Sequence, residues 1–384
     1  MARLPLEVSS EIFVQCLPEY PRPQTHTITR LVPPLLFLRI CFTWNQIALS
    51  TPTLWSKMVL ESPYDSKLEA LAERWLQRAR SRPLHISFWR SNVDTRIGSL
   101  IWGYRSQLKC LKLNVYNDMY DELDEEDEYA EFRLLFGIAQ PEPLPFLRTL
   151  DLSGLNSGTL SPLPIIQLLR IAPNLSQLSF CNLALAVDAF DEQLALPNLR
   201  RLAFVREDPE LDEANYELLD FISAPGLEQF TLDLDFGDED DIISFLQRSS
   251  PPLLALEISG TENLYSFDIL LSLVPSLTRL RIKYPDSLAQ DLFSALAQTP
   301  ISVLPNLRDL ELESAHDSDV LWDIVVRALR NRREQIKRFR LSDSWLEIPP
   351  HVLATLRDLV AEGMEMWIQK TSGLERNINM VGTV

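Results

Sequence analysis

The stretch "PSLTRLRI", residues 275–282, returns 30 positions later as "PNLRDLEL", residues 305–312. Both follow P-x-L-x-x-L-x-L. Their last two apolar residues are two apart, the strand period, so both point to one face while the residue between them points to the other. With apolar swaps the same pattern recurs in "PFLRTLDL", "PNLSQLSF", "PNLRRLAF", "PGLEQFTL" and "PPLLALEI", and without the proline in "LKCLKL" and "IKRFRL". The leading residues are Leu108, Leu147, Leu175, Leu199, Leu227, Leu253, Leu277, Leu307 and Ile336, in steps of 39, 28, 24, 28, 26, 24, 30 and 29.

A period in the twenties carrying L-x-x-L-x-L is the leucine-rich-repeat signature. Between the strand cores lie helix-like runs: "PLPIIQLLRIA", "NYELLDFIS", "DDIISFLQR", "YSFDILLSLV", "LAQDLFSALAQ" and "SDVLWDIVVRALRNR". Each proline removes a backbone donor and biases the residue before it away from helix, so the helix stops and the next strand starts. Strand then helix, repeated, predicts an α/β leucine-rich-repeat solenoid, with a parallel sheet inside and helices outside. The Asn usual three positions after the last Leu is mostly absent, which predicts irregular turns. The first step of 39 is accounted for by the acidic insertion "DELDEEDEYAE", residues 121–131, read as a solvated loop rather than a cation site.

Composition sets the outer limits. The chain has 384 residues, 46% of them apolar, enough for a large core, and a formal charge of -18 that argues against a nucleic-acid partner. The charge is uneven. Residues 1–110 hold 14 Lys/Arg against 8 Asp/Glu, and the remainder hold 22 against 46, so two differently charged parts are expected. Cys16, Cys41, Cys110 and Cys181 stand in apolar settings with no C-x-x-C pair, as reduced thiols do. Neither a signal segment nor a membrane span is read, which makes a cytoplasmic or nuclear location the expectation.

Motifs of catalysis are not found. There is no Gly-rich phosphate loop, no H-E-x-x-H and no G-x-S-x-G, and His26, His85, His316 and His351 lie in unrelated contexts. "DLDFGDEDD" fails as a calcium loop, because counting from Asp233 position 6 is Asp238 and position 12 is Ser244. A non-enzymatic protein with no cofactor and no metal is expected.

The N-terminus differs in kind. "LPLEVSSEIFVQCL" reads as an amphipathic helix entered at a proline, carrying Val8, Ile12, Phe13 and Leu17. After a proline-rich connection, Phe37, Ile40, Trp44 and Ile47 fall at steps of three, four and three, one face of a helix that Pro52 ends. "SKLEALAERWLQRARSRPLHISFW" then gives a helix with Leu68, Leu71, Ala72, Trp75, Leu76 and Ala79 on one face, and an alternating strand through Leu84, Ile86 and Phe88. At the other end, "PPHVLATLRDLVAEGMEMWIQK" reads as a capping helix through Val352, Leu353, Leu356, Leu359, Val360 and Met364. The expected division is therefore 1–60, a small all-α unit; 61–107, a connecting helix and first divergent strand unit; 108–348, the solenoid; and 349–384, the capping helix and tail.

Leu4-Pro5, Glu7, Ile12-Phe13, Leu17, Ile40-Cys41, Trp44, Ile47-Ala48 and Pro52-Thr53-Leu54-Trp55 resemble the F-box, and "EIF" with "W-x-x-IALSTP-x-LW" is especially similar to the F-box-like proteins of mushroom-forming fungi. Phe42 and Thr43 stand where that motif often has basic residues. The resemblance implies a substrate receptor of a cullin-RING ubiquitin ligase that docks on a Skp-type adaptor and holds a target protein on its repeats. It implies adaptor-face and inner-packing roles for Leu4, Pro5, Ile12, Phe13, Leu17, Ile40 and Trp44, with Leu54 and Trp55 closing the motif. The rival reading is a repeat scaffold without ubiquitin-ligase association, its short helices serving as a lid on the first repeat.

For the target, the expected surface is the outward row of the last repeats. These positions are Arg279, Arg281 and Lys283, then Asp309, Glu311 and Glu313, then Arg338, Arg340 and Ser342. The acidic row is expected between two basic rows, as a cross-strand ladder whose unpaired charges recognise the target.

Overall fold

The computed structural model describes residues 4–17, 32–61, 65–89, 94–115, 136–137, 141–154, 159–160, 162–181, 184–185, 193–205, 217–233, 239–260, 267–283, 288–298, 303–314, 322–343 and 348–370. The insertion at 121–131, His26, His316 and the tail from Ser372 lie outside them. The chain forms two compact units, 1–188 and 189–384. Both are mixed α/β with parallel sheets, in line with the α/β class expected from the repeats.

In the first unit, three helices, α1 (Leu6–Gln15), α2 (Phe37–Ile40) and α3 (Phe42–Ser50), and a 3₁₀ turn at Pro52–Trp55 lead into β1 (Lys57–Glu61). Next come α4 (Ser66–Ala79), β2 (Leu84–Trp89), α5 (Thr95–Trp102), β3 (Leu108–Val115), β4 (Thr149–Gly154), β5 (Thr159–Leu160), α6 (Leu163–Ile171), β6 (Gln177–Cys181) and β7 (Ala184–Leu185). Strands β1, β2, β3, β4 and β6 lie side by side in parallel, and β5 pairs with β7.

The helix read through Phe37 and Ile47 is two helices. Cys41 is fully extended, φ -159° and ψ 169°, so it breaks the helix between Ile40 and Phe42 and acts as the N-cap residue of α3. The broken ladder is bridged by the Asn45 side chain, whose Nδ2 donates to the Leu38 carbonyl at 2.9 Å. A second correction is that winding begins earlier than Leu84. "KMVLE" directly after Trp55 is already a strand, with Met58 and Leu60 buried and Lys57 facing His85 in register. Its alternation is too short to stand out beside the motif before it.

The second unit runs β8 (Leu194–Ala195), β9 (Arg201–Val205), a 3₁₀ turn at Glu217–Phe221, β10 (Ile222–Ser223), β11 (Gln229–Asp233), α7 (Glu239–Ser249), β12 (Ala255–Ser259) and α8 (Phe267–Leu273). It continues with β13 (Arg279–Lys283), α9 (Leu288–Leu296), β14 (Asp309–Ser314), α10 (Trp322–Asn331), β15 (Arg338–Asp343), α11 (Pro350–Ala361) and β16 (Glu365–Lys370). β9, β11 and β12 through β16 form seven parallel neighbours, and β8 pairs with β10. "NYELLDFIS" is no full helix, since its end is drawn into β10. The C-terminal helix also stops short of Met364. Gly363, at φ 102°, turns the chain, and "EMWIQK" becomes the last strand, with Met366 buried.

Each repeat is built alike. All nine leading residues, Leu108 to Ile336, are buried, as are both apolar residues of every strand core. In six repeats the N–H of the leading Leu donates to the carbonyl of the residue before the proline, as Leu277 does to Val274 at 3.1 Å and Leu307 to Leu304 at 3.2 Å. The proline thus sits second in a β-turn, where its fixed φ suits the geometry. It starts the strand as much as it stops the helix. Two consecutive N–H groups then share one carbonyl of the preceding repeat: Thr278 and Arg279 on Leu254, Arg308 and Asp309 on Thr278, Lys337 and Arg338 on Arg308. Strand and helix layers meet through rings such as Phe230 with Phe245, 5.6 Å apart, and Phe293 with Phe339 at 6.4 Å.

Candidate binding surfaces

The N-terminal helices close on three rings. Phe13 stacks on Phe37 at 4.3 Å, and Trp44 leans against both, 4.9 and 5.9 Å away. Phe13 and Phe37 are buried, yet Trp44 keeps 38% of its surface exposed. Because Cys41 turns the chain, Ile40 is left at the surface, 49% exposed, and so is Phe42 at 80%. Leu4, Val8 and Ile12, four residues apart along the start of the chain, are exposed too, and Leu6 with them. Eight of the eleven exposed large apolar side chains among the described residues fall between Leu4 and Trp44, so apolar exposure is concentrated in this one small region.

The nine residues that the F-box resemblance singled out therefore separate. Leu4, Pro5, Ile12, Ile40 and Trp44 face solvent and Leu17 is half-buried, whereas Phe13, Leu54 and Trp55 are enclosed by the chain itself. Those three are packing residues and offer no surface. Trp55 links the helices to the first repeat. Its Nε1 donates to the Ala48 carbonyl of α3 at 2.9 Å, its ring meets Trp75 of α4 edge-on at 5.0 Å, and Arg78 lies 4.5 Å over its face. Burial, and then the charge of Arg74, pull the Arg78 guanidinium below its ordinary value.

The second surface is the sheet face of the second unit that looks away from the helices. Register places Arg279 opposite Asp309 and Asp309 opposite Arg338, Arg281 opposite Glu311 and Glu311 opposite Arg340, and Lys283 opposite Glu313. The acidic row does lie between two basic rows. Arg338 grips Asp309 with two hydrogen bonds, from Nε to Oδ1 at 2.7 Å and from Nη2 to Oδ2. Arg281 donates to Glu313 at 3.0 Å and stands 3.5 Å from Glu311 and 3.8 Å from Glu257. Burial lowers its pKa, but the Glu313 hydrogen bond and the surrounding carboxylates outweigh that and hold it above the ordinary guanidinium value. Arg340 lies 3.9 Å from Glu311 and 4.7 Å over the Trp367 ring.

The pattern extends past the residues read from the sequence. Glu257 of β12 takes Lys283 at 2.7 Å, and Trp367 of β16 covers Arg340. Glu257 was open to detection by counting one repeat further back; Trp367 was not, because its segment reads as helix. A groove of about 340 Å³ runs along this face, with Gln229, Thr231 and Ala255 in its neutral part and the arginines of β13 and β15 in its charged part.

The described histidines stand apart. His85 sits between Lys57 and Lys109, and burial first, then those two charges, lower its pKa. His351 Nε2 is 3.8 Å from Asp323, both well exposed. Among the described residues no cluster of three or more His, Cys, Asp or Glu is placed to hold a metal ion, and no helix is long and apolar enough to cross a membrane. No family model matches the chain, and no curated protein does.

Proposed function

We propose that this chain is a non-enzymatic substrate receptor of a cullin-RING ubiquitin ligase. Its N-terminal helices would dock on a Skp-type adaptor, and the outward sheet face of its repeats would hold a protein target, in the cytoplasm or nucleus. The observation that supports this best is the exposed apolar surface of Leu4, Val8, Ile12, Ile40 and Phe42 around a closed Phe13–Phe37–Trp44 core. A lid that only sealed the first repeat would turn its apolar side chains inward. This unit turns many of them out, at a cost of about 25 cal/mol for each Å² left in water, which a partner would recover.

Calorimetric titration of the purified protein with a recombinant Skp-type adaptor tests the reading. Binding is expected, with at least tenfold loss for Ile12→Asp or Ile40→Asp at a small change in unfolding midpoint, because each side chain is already half exposed. An adaptor that does not bind the unmutated chain leaves the scaffold reading in its place.

A further inference from the structure

One row of the sheet face is paired unevenly. At the first outward position of successive strands the register aligns Arg201, Gln229, Ala255, Arg279, Asp309 and Arg338. Asp309, the natural partner of Arg279, is held at both carboxylate oxygens by Arg338 on its other side. On the near side Arg279 has only the methyl of Ala255. Its side chain is exposed and makes no hydrogen bond or ion pair with the described residues. Arg201 is in the same condition at the far end of the neutral stretch, exposed, with Gln229 as its neighbour in register. The cations of the next two rows on these strands are engaged, Arg281 by three carboxylates and Lys283 by Glu257.

Two free guanidinium groups thus stand on one line, three strand spacings apart, with the neutral side chains of Gln229 and Ala255 between them. At about 4.8 Å per spacing that is about 14 Å. An extended peptide advances about 3.3 Å per residue and repeats its side-chain direction every second residue, so positions i and i+4 lie about 13 Å apart on the same face. We infer that this row binds an acidic segment of a partner protein, extended and running across the strands, with carboxylates at i and i+4 on Arg279 and Arg201. A guanidinium presents paired N–H donors that match a carboxylate, and Ala255 leaves room for the peptide backbone to approach. The inference rests on the reading of this face as the target-holding surface and names the chemistry of what it holds.

The probe is a fluorescein-labelled ten-residue peptide of Ser and Ala with Glu at two positions four apart, titrated with the full chain by anisotropy. Matched peptides carry Gln at both positions, Glu two apart, or phosphoserine four apart. Binding of the i, i+4 Glu peptide is expected, with about fivefold loss for Arg279→Gln and again for Arg201→Gln, and weaker binding of the Gln and i, i+2 peptides. Arg279→Glu should regain binding to a peptide whose facing Glu is replaced by Lys, a reciprocity that a structural role for Arg279 would not give. Equal affinity for the Gln peptide, unchanged affinity in both arginine variants, or capture of the phosphoserine peptide alone would overturn the proposal. Adaptor titration on the same preparation separates the two readings. Adaptor binding without peptide binding removes this inference and leaves the receptor, and peptide binding without adaptor binding does the reverse.

Discussion

Two tryptophans show how little a residue's identity says about its duty. Trp55 and Trp75 touch, but the Trp55 indole N–H is bonded to Ala48, whereas the Trp75 N–H is buried with no partner among the described residues. Trp55→Phe should therefore lower stability by about 2–3 kcal/mol, through the lost hydrogen bond and ring volume, and Trp75→Phe by about 1 kcal/mol, through volume alone. Equal shifts in denaturant midpoint would show that the Ala48 bond contributes nothing. Arg332 is a comparable case. Its guanidinium is buried with no carboxylate of the described residues beside it, and donates instead to the carbonyls of Leu296 and Val303, at 3.1 and 2.8 Å, and to Gln335 at 3.1 Å. Next to Val303, Leu304 takes φ 47°, a left-handed conformation uncommon for a branched side chain, so the buried cation braces a turn that holds a costly backbone conformation. Burial lowers its pKa, yet an arginine stays charged under all ordinary conditions.

At the scale of the element, the asparagine usual after each strand is mostly absent from the sequence, and two asparagines ahead of strands tie neighbouring repeats together. Asn174 and Asn306, each following the proline of its turn, donate from Nδ2 to the carbonyls of Pro145 and Pro275, the prolines of the repeats before them, at 2.9 and 3.0 Å. These two bonds tie each of those proline turns to the one before it; the turns after the strands, where the sequence predicted irregularity, lie largely outside the described residues. Asn306→Ala should cost about 1 kcal/mol, and Asn306→Asp more than an exposed substitution normally does, because a carboxylate has no N–H to give a carbonyl. Thermal unfolding checks both. A neutral Asn306→Ala would mean that the shared backbone bonds at the strand start suffice.

Over the whole face of the second unit, charge acts as an array. Glu257, Arg281, Glu311 and Arg340 run across four strands with opposite signs adjacent, and solvent reaches all of them. Exposed pairs contribute about 0–1 kcal/mol each and are screened by salt, so the array is expected to orient side chains more than to stabilise the sheet. Reversing Asp309 and Glu311 together to Lys would set six basic side chains against one another in the first two outward rows of β13, β14 and β15. Stability should fall, most at low salt, and recover in part at high salt. If the free arginines Arg279 and Arg201 are what hold an acidic segment, capture of the acidic peptide should rise rather than vanish in this variant, since an added cation stands next to Arg279. A loss of peptide binding with the fold intact would place recognition on the carboxylates instead.

The sequence by itself determined the parallel α/β repeats, because a buried strand core must place apolar residues two apart and a proline turn must come before it. It also determined the alternation of charge on β13, β14 and β15, since equal spacing from each leading Leu fixes the register. Only the tertiary structure decided which charges were spoken for. Asp309 lies between two arginines and closes on one, a choice made by side-chain geometry that no spacing encodes. Only the tertiary structure, too, divided the N-terminal apolar residues. Phe13 and Trp55 look no different in sequence from Ile12 and Trp44, but an extended Cys41 in place of a helical one rotates α3 relative to α2 and leaves Ile40, Phe42 and part of Trp44 in water. The last strand was hidden for a related reason. "GMEMWIQK" continues a helical apolar period, and the turn at Gly363 sends it instead to the open edge of β15, where its backbone groups find partners that a lone helix end lacks.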